Sequence, residues 1–400
     1  MQSTQIGQVE TTSKTTAICA ISIVFPCLNE AASVGNCVAS ARDVLHGSGL
    51  HGEVIVCDNG STDNSDSIAQ DAGAFVIRES RRGYGSAISR GVSAARGEYV
   101  FLLDADGSYD LSQIDAFLTH LEAGADLVMG NRFSGRISPG SMPWMHQFIG
   151  SPVLSAVLNL FFGTQVRDVH CGLRAFSRNA FDRMALRTTG MEFASEMVAR
   201  AACLGLRIDE VSVDYHPRIW DSKLRRYHDG WRHLRFLLMY SPTWLFLLPS
   251  TLMMLFGLGL LTVLAFAPIE FAGRQWDMHF SAVASLVTLL GTQIAWLGIS
   301  ARTLAVRHGF TSDDPFISRM YAAFNLETGL VASLAIATLG FLIAAFVIAQ
   351  WSGRGYPPLD MIRPLLLAVT LIVVGAQAIF NVFFLSLLGV ETRAVDPTRS

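Results

Sequence analysis

Two hydrophobic rhythms divide the chain. Up to about residue 240, short β-branched runs (ISIVF, EVIVCD, AFVIRE, YVFLLD and DLVMG) alternate with helical segments, roughly 25 residues to a unit. That alternation predicts an α/β domain with a mainly parallel sheet and helices on both faces. From Trp244 onward the rhythm changes. Uncharged apolar stretches recur at roughly 244–268, 280–300, 329–350 and 364–389, each about the 20 residues that a bilayer-spanning helix needs. The pattern therefore predicts a tail over 1–17, the α/β domain over 18–227, and an amphipathic juxtamembrane segment over 228–243. An all-α bundle of four transmembrane helices follows over 244–390, and a short tail over 391–400.

Charge adds a direction. MQSTQIGQVETTSKTTA has no apolar core and does not read as a secretory signal, so the α/β domain is expected in the cytosol. Arg225, Arg226, Arg232 and Arg235 sit just ahead of the first span, as the positive-inside rule asks. An even number of spans returns the C-terminal tail to the same side. The spans carry no internal charge, which counts against an ion-coupled transporter. Gln293, Gln377 and Asn381 are expected to hydrogen-bond between helices. A net charge of −3 is uninformative about partners, and no motif suggests nucleic-acid binding. The six cysteines, at 19, 27, 37, 57, 171 and 203, form no CxxC pair and read as small buried hydrophobes.

Candidate chemistry gathers where strands end. FPCLNE supplies Pro26, Asn29 and Glu30 after the first strand, and CDNGSTD supplies Asp58 and Asp63 after the second. DADG places Asp104, Ala105 and Asp106 after the fourth. Residues two apart on an extended chain point the same way, so the two aspartates face one spot and repel unless a cation lies between them. Ligands of open α/β sheets bind at the carboxyl ends of the strands, which makes three polar strand ends one site. Carboxylates with a divalent cation suit a nucleoside diphosphate, whose phosphate oxygens complete the shell of Mg²⁺ or Mn²⁺. Taken singly, DNGSTD also reads as a turn with a helix cap. RRGYGSA is a GxG short of the full dinucleotide motif, read equally as a turn and helix start.

PCLNE, CDNGSTD, RGYGSA, LLDADGSYD, GNRF, HCGLRAF and GMEFASE, followed by DSKL, resemble the family 2 glycosyltransferases of GT-A fold. More narrowly they resemble the dolichyl-phosphate mannose and glucose synthase branch, with motif order and spacing intact over roughly 20–240. The resemblance implies a nucleotide-diphospho-sugar transferase domain of Rossmann-like type, acting on a UDP- or GDP-sugar and a polyprenyl phosphate. It implies that Asp104 and Asp106 hold Mg²⁺ or Mn²⁺, and that Pro26, Asn29, Glu30, Asp58 and Ala105 line the nucleotide sugar. Arg132, His146, Arg174, Arg218, Ser222 and Lys223 form the set for the acceptor phosphate, and Asp168 is a site carboxylate that orients an arginine or the sugar. Arg132, Asp168 and Arg174 thereby join the two metal aspartates as the catalytic group. A lipid phosphate is already anionic at neutral pH and needs cations more than a strong base.

Some positions depart from that pattern. Asn59 stands where a second Asp is common, Ser108 where relatives carry a residue that assists the metal, and His146 where some have a phosphate-binding Arg. His170 and Cys171 replace small polar residues. The apolar stretch 143–163, broken by Pro152, reads either as a core helix or as one lying in the headgroup region. WRHLRFLLMY, 231–240, is expected to turn Arg and His to one side and Leu, Phe and Met to the other. A processive polysaccharide synthase would carry QxxRW, which is absent, and a non-catalytic nucleotide-sugar binder would not need DxD. Self-association is left open.

Overall fold

A computed structural model of the protein describes residues 20–47, 49–218, 226–241, 243–266, 268–271, 274–307, 326–354 and 361–389. The chain divides into two compact units after Leu234.

The first unit opens with β1 (Ile21–Cys27), α1 (Val34–Gly47), β2 (Gly52–Asp58), α2 (Ser65–Asp71), β3 (Phe75–Arg78), α3 (Tyr84–Ala94) and β4 (Tyr99–Leu102). It continues through α4 (Ile114–Glu122), β5 (Leu127–Asn131), α5 (Ser151–Phe162), β6 (Arg174–Ser177), α6 (Arg178–Met184), α7 (Phe193–Cys203), β7 (Ile208–Ser212) and the start of α8 (Arg226–Tyr240). The five strands expected from the apolar runs are present. The helices form for the usual reason: α1 buries Val34, Val38, Ala41 and Leu45, one stripe at three- and four-residue spacing. α6 starts where Ser177 accepts the Ala180 N–H at 3.1 Å, an N-cap.

Seven strands order as β3-β2-β1-β4-β6-β5-β7. β1 pairs in parallel with both β2 and β4, and β5 pairs in parallel with β7. β6 runs antiparallel to β4 and β5, and sequence patterning did not anticipate it or β7. The chain moves outward from β1 to β3 and then returns to place β4 on the other side of β1. That reversal is a topological switch point, where a crevice opens at the carboxyl ends of β1 and β4. Beneath it Ile21, Ile23, Phe25, Phe101 and Leu103 sit in the core with essentially no exposure.

In the second unit a π-helical turn, Thr243–Leu247, leads into α9 (Leu248–Phe266). A small antiparallel hairpin, β8 (Ile269–Phe271) with β9 (Arg274–Trp276), separates it from α10 (Met278–Arg307). α11 (Leu326–Gly353) and α12 (Ile362–Gly389) complete the unit. The segments Thr243–Phe266, Met278–Val306, Leu326–Gly353 and Ile362–Leu388 are long and apolar enough to cross a membrane. At most 28% of the most apolar window of each is buried, which leaves outward faces of Leu, Val and Phe that suit lipid rather than water. Close packing carries the helix contacts: a Cβ at Gly340 would strike the Ala368 carbonyl, and one at Gly375 would strike Ala337.

The polar residues of these helices behave differently from expectation. Asn381 donates to the Gln377 carbonyl at 2.8 Å, four residues back along its own helix. The buried Gln377 Oε1 has no partner among the described residues. An interhelical hydrogen bond joins Ser285 and Thr370 at 2.6 Å. Short hydroxyls reach across where small residues bring helices close, whereas a longer amide finds its own backbone first.

Candidate active site

The carboxyl ends of β1 and β4 open into a cavity of about 370 Å³. Pro26, Glu30, Asp104, Ala105, Asp106 and Arg218 are in its wall, together with Asn59, Arg82, Gly83 and Tyr84. A second cavity of about 620 Å³ has Arg132, His146, His170, Arg174 and Arg218 in its wall. Tyr84, Asp104, Met191 and Arg218 belong to both. Asp104 therefore stands where an acidic chamber meets a basic one.

The two aspartates are held differently. Asp104 Oδ1 accepts the Tyr84 hydroxyl at 3.0 Å. Its other side is backed by Gly172, where any Cβ would collide with the carboxylate. Burial, with the neighbouring Asp106 charge adding to it, pushes the Asp104 carboxyl above its ordinary pKa. Asp106 Oδ1 is oriented by the buried Ser108 hydroxyl, and Oδ2 meets Arg218 Nε at 2.9 Å. Arg218 also bonds the Tyr215 hydroxyl at 3.1 Å. The positive charge that a pair of neighbouring carboxylates requires is thus supplied by a guanidinium. Two hard oxygen donors in a partly open cavity fit Mg²⁺ or Mn²⁺, which commonly take one or two carboxylates and fill the remaining positions with phosphate oxygens and water. Among the described residues no group of three His, Cys, Asp or Glu side chains forms a complete protein cage.

In the second cavity Arg132 makes a two-pronged pair with Asp168, Nε to Oδ2 at 2.7 Å and Nη2 to Oδ1 at 2.8 Å. The Arg132 backbone N–H adds a third bond to the same carboxylate at 3.1 Å. Asp168 is wholly buried. The Tyr215 ring lies 5.1 Å from the Arg132 guanidinium carbon, so carboxylate and aromatic face together fix the fork. Arg174 is fully buried, and its donors go to the Cys171, Val169 and Ala194 carbonyls. Its guanidinium acts in the structure as a clasp for the backbone that carries Cys171 and Gly172.

Three imidazoles complete that wall. His170 Nε2 lies 3.2 Å from Ser195 Oγ, which lies 3.0 Å from His233 Nδ1. The two rings meet edge to face at 4.5 Å. Burial above all, then His233, Arg132, Arg174 and His146, drives the His170 pKa well below its ordinary value, so the ring is neutral at pH 7. His233 is buried, contrary to the expectation that 231–240 turns its histidine to a polar face. The Ser195 hydroxyl and the His170 ring edge give it a polar place inside.

Asn29 and Asp58 line neither cavity. Asn29, at φ 54°, accepts the Thr62 N–H at 2.8 Å, and Asp58 accepts the Gly60 and Ser61 N–H groups at 3.1 Å each. Both shape the loop that carries Asn59. Asn59 does what an Asp there could not: its amide donates to the Glu79 and Arg81 carbonyls at 3.0 and 2.8 Å. Its oxygen accepts the Gly83 N–H at 2.7 Å. GxG thereby opens α3 as a tethered turn that presents Tyr84 to Asp104. Ser222 and Lys223 lie outside the described residues. Sequence reasoning passed over Tyr84, Tyr215, Ser195 and His233. Tyr84 lies within RGYGSA and Ser195 within GMEFASE, and the hydroxyls inside these motifs are the available signal. Of the thiols expected to be buried, Cys27, Cys57 and Cys171 are, Cys37 and Cys203 are only partly so, and Cys19 lies outside the described residues; burial pushes Cys27 and Cys171 up to about 12.

Comparison with known proteins assigns the architecture. The profile "Glycosyl transferase family 2" matches residues 22–185, and "Glycosyltransferase family 2 C-terminal transmembrane region" matches 299–389. The low-salt glycan biosynthesis hexosyltransferase Agl6 of Haloferax volcanii is 35% identical over 92% of this chain and 89% of its own. The chain belongs to glycosyltransferase family 2. It is a membrane glycosyltransferase with a mostly parallel GT-A-like domain, followed by the apolar helices of the family's transmembrane region. A dolichyl-phosphate hexose transferase of Haloferax volcanii is 28% identical over 52% of this chain and 89% of its own. Among solved structures, glucosyl-3-phosphoglycerate synthase from Mycobacterium tuberculosis in complex with Mn²⁺, UDP-Glc and phosphoglyceric acid is a partial likeness. It has 25% identity and a TM-score of 0.45, over 55% of this chain and 78% of that one.

Proposed function

We propose that this family 2 enzyme moves a hexosyl unit from a nucleoside diphosphate sugar, of the UDP-glucose or GDP-mannose kind, onto a polyprenyl phosphate such as dolichyl or undecaprenyl phosphate. The observation that carries the reading is Asp104 in the shared wall of an acidic and a basic cavity. The donor occupies the chamber of Pro26, Glu30 and Asn59, its diphosphate toward Asp104 and Asp106. The acceptor phosphate occupies the chamber of Arg132, His146 and Arg218. A hexosyltransferase relative and a dolichyl-phosphate hexose transferase relative support both halves.

Asp104 and Asp106 would hold Mg²⁺ or Mn²⁺, which when bound neutralises charge on the departing diphosphate. The remaining chemistry belongs to the side chains. Arg132, locked by Asp168, and Arg218 offer the acceptor phosphate fixed forks against the repulsion of a second anion. An acceptor phosphate oxygen forms a bond to the anomeric carbon while that carbon's bond to the diphosphate oxygen breaks on the opposite face, inverting the centre. No proton need move, because the acceptor is already ionised at neutral pH. The catalytic unit and both termini lie on the cytosolic side.

The test supplies membranes containing the protein with polyprenyl phosphate and a panel of labelled UDP- and GDP-sugars, and follows label into the organic phase. Label from one donor, lost with EDTA and reduced at least about a hundredfold in Asp104→Asn, is expected. Label in water-soluble polymer instead would point to a processive synthase, and donor binding without transfer to any lipid would sink the acceptor assignment.

A further inference from the structure

A third cavity, of about 330 Å³, lies between α3 and the turn that precedes α7, and shares no wall residue with the two chambers above. Its character comes from one face of α3. Ser86, Ser89, Arg90 and Ser93 follow at spacings of three, four and seven, so a helix stacks them on one side. Arg81, at the exit of β3, and Arg187, from the turn, add charge, against the single carboxylate of Glu79. Arg81 and Arg90 form no ion pair among the described residues.

Two further observations separate this cavity from an ordinary basic groove. Ser86 is 7% exposed and lines the cavity, yet its buried hydroxyl has no partner among the described residues. A buried hydroxyl without a partner costs free energy, and such groups ordinarily find one. The opposite wall is also built in advance. The buried Glu196 accepts the Arg187 N–H at 3.0 Å, the Thr188 N–H at 2.8 Å and the Thr188 hydroxyl at 2.6 Å, which uses its charge to hold the turn. Ser86 N donates to the Thr189 carbonyl at 3.2 Å, and a Cβ at Gly85 would strike the Thr188 carbonyl. The cavity walls are thus fixed before any ligand arrives, as in most small-molecule sites.

We propose that this cavity is a second anion site of the enzyme, for a phosphoryl group. Guanidinium forks with the Ser86 and Ser89 hydroxyls match a group that presents three acceptor oxygens, whereas the Ser93 and Thr188 hydroxyls already donate to the Ser89 carbonyl and to Glu196. The volume exceeds that of phosphate alone, so the phosphoryl group is carried on a small polar body. The same chemistry comes from a free phosphorylated metabolite or from an anionic lipid headgroup. The site sits on the helix whose first residue, Tyr84, bonds Asp104, and its far wall ends two residues before Met191. An occupant therefore bears on the segments that frame both active-site chambers.

The experiment uses the full-length protein in detergent, titrated with inorganic phosphate against chloride at matched ionic strength and followed by calorimetry. A parallel titration uses mixed micelles with and without phosphatidic acid. Arg218→Gln serves as the background in which anion binding at the active site is weakened. Saturable binding that persists in Arg218→Gln, weakens at least tenfold in Arg90→Gln and weakens severalfold in Ser86→Ala is expected. Arg90 is exposed, so Arg90→Gln should melt with the parent protein when no anion is present. Sensitivity to Arg90→Gln with phosphate names a soluble source, and sensitivity only with phosphatidic acid names a lipid source. Binding of either probe that is indifferent to Arg90→Gln, or that disappears with Arg218→Gln, would overturn the site.

Discussion

Arg132 and Asp168 illustrate how much of this site depends on one buried charge holding another. Neither has water to fall back on, so removing one partner strands the other, at a cost of about 3–5 kcal/mol. Asp168→Ala and Arg132→Ala should each lower the melting temperature sharply, while Arg132→Met with Asp168→Leu together should lose less than the sum. Additive losses in that cycle would mean that the pair does not act as a unit. His170 gives a different signature. Its folded pKa lies below that of the unfolded chain, about 6.5. Below that pH the unfolded chain binds a proton that the folded protein refuses, so stability is full above about 6.5 and falls as the pH drops, by up to ~1.4 kcal/mol per pH unit. Melting curves between pH 8 and 5 should show this slope, and His170→Gln should flatten it. An unchanged slope in the variant would place the titrating group elsewhere. At this scale the sequence was informative where charge clusters at strand ends, as at Asp104 and Asp106. It was silent on the partners of Asn59 and Ser195, which lie 20 to 38 residues away and are brought near only by the tertiary fold.

Among elements, the apolar stretch 143–163 shows where sequence pattern leaves a choice and burial decides it. A π-helical turn, His146–Gly150, runs into α5, and along the whole of it only Ser155 and Leu158 are buried. Trp144, Phe148, Ile149, Val153 and Leu160 all face outward. A core helix would do the reverse. We expect Phe148→Ser with Leu160→Ser to leave the melting temperature in detergent nearly unchanged, since exposed side chains contribute little to folding. Transfer to a polyprenyl phosphate embedded in vesicles should fall by about tenfold or more, because each side chain forfeits roughly 1.5–3 kcal/mol of burial in the bilayer surface. Transfer that holds steady would show that this face touches no lipid. The strands teach the complementary lesson. β1, β2, β4 and β5 were legible because buried strands are continuous apolar runs, and β3, FVIR, keeps that apolar run at the sheet edge although none of its residues is buried. β6 is four residues that begin with Arg, and β7 reads IDEVS, a polar strand at the sheet edge. Neither has a two-residue rhythm, so only their partners define them as strands.

For the molecule as a whole, the distribution of arginine around the four apolar helices predicts an orientation that can be tested. Arg225, Arg226, Arg232 and Arg235 precede the first span, Arg302, Arg307 and Arg319 lie between or at the ends of the second and third, and Arg393 and Arg399 follow the last. The alternate side holds Arg274, Arg354 and Arg363. Short loops rich in Arg stay in the cytosol as a rule, so we expect the side with nine to be the cytosolic one. On that orientation the catalytic unit would face the cytosol and the β8–β9 hairpin would lie outside. Two cysteine variants read this directly. Gln275→Cys, in the hairpin, should react with a membrane-impermeant maleimide in intact cells, and Ala394→Cys only after lysis. Unsubstituted protein serves as the control for its native thiols, of which Cys37 and Cys57 should be slow toward the reagent because burial pushes them up to about 11 and about 12. Labelling of Ala394→Cys in intact cells would reverse the orientation, and with it the side from which the donor sugar must come. Labelling of both would mean an odd number of crossings, and one of the four apolar helices would then have to lie along the bilayer instead of through it.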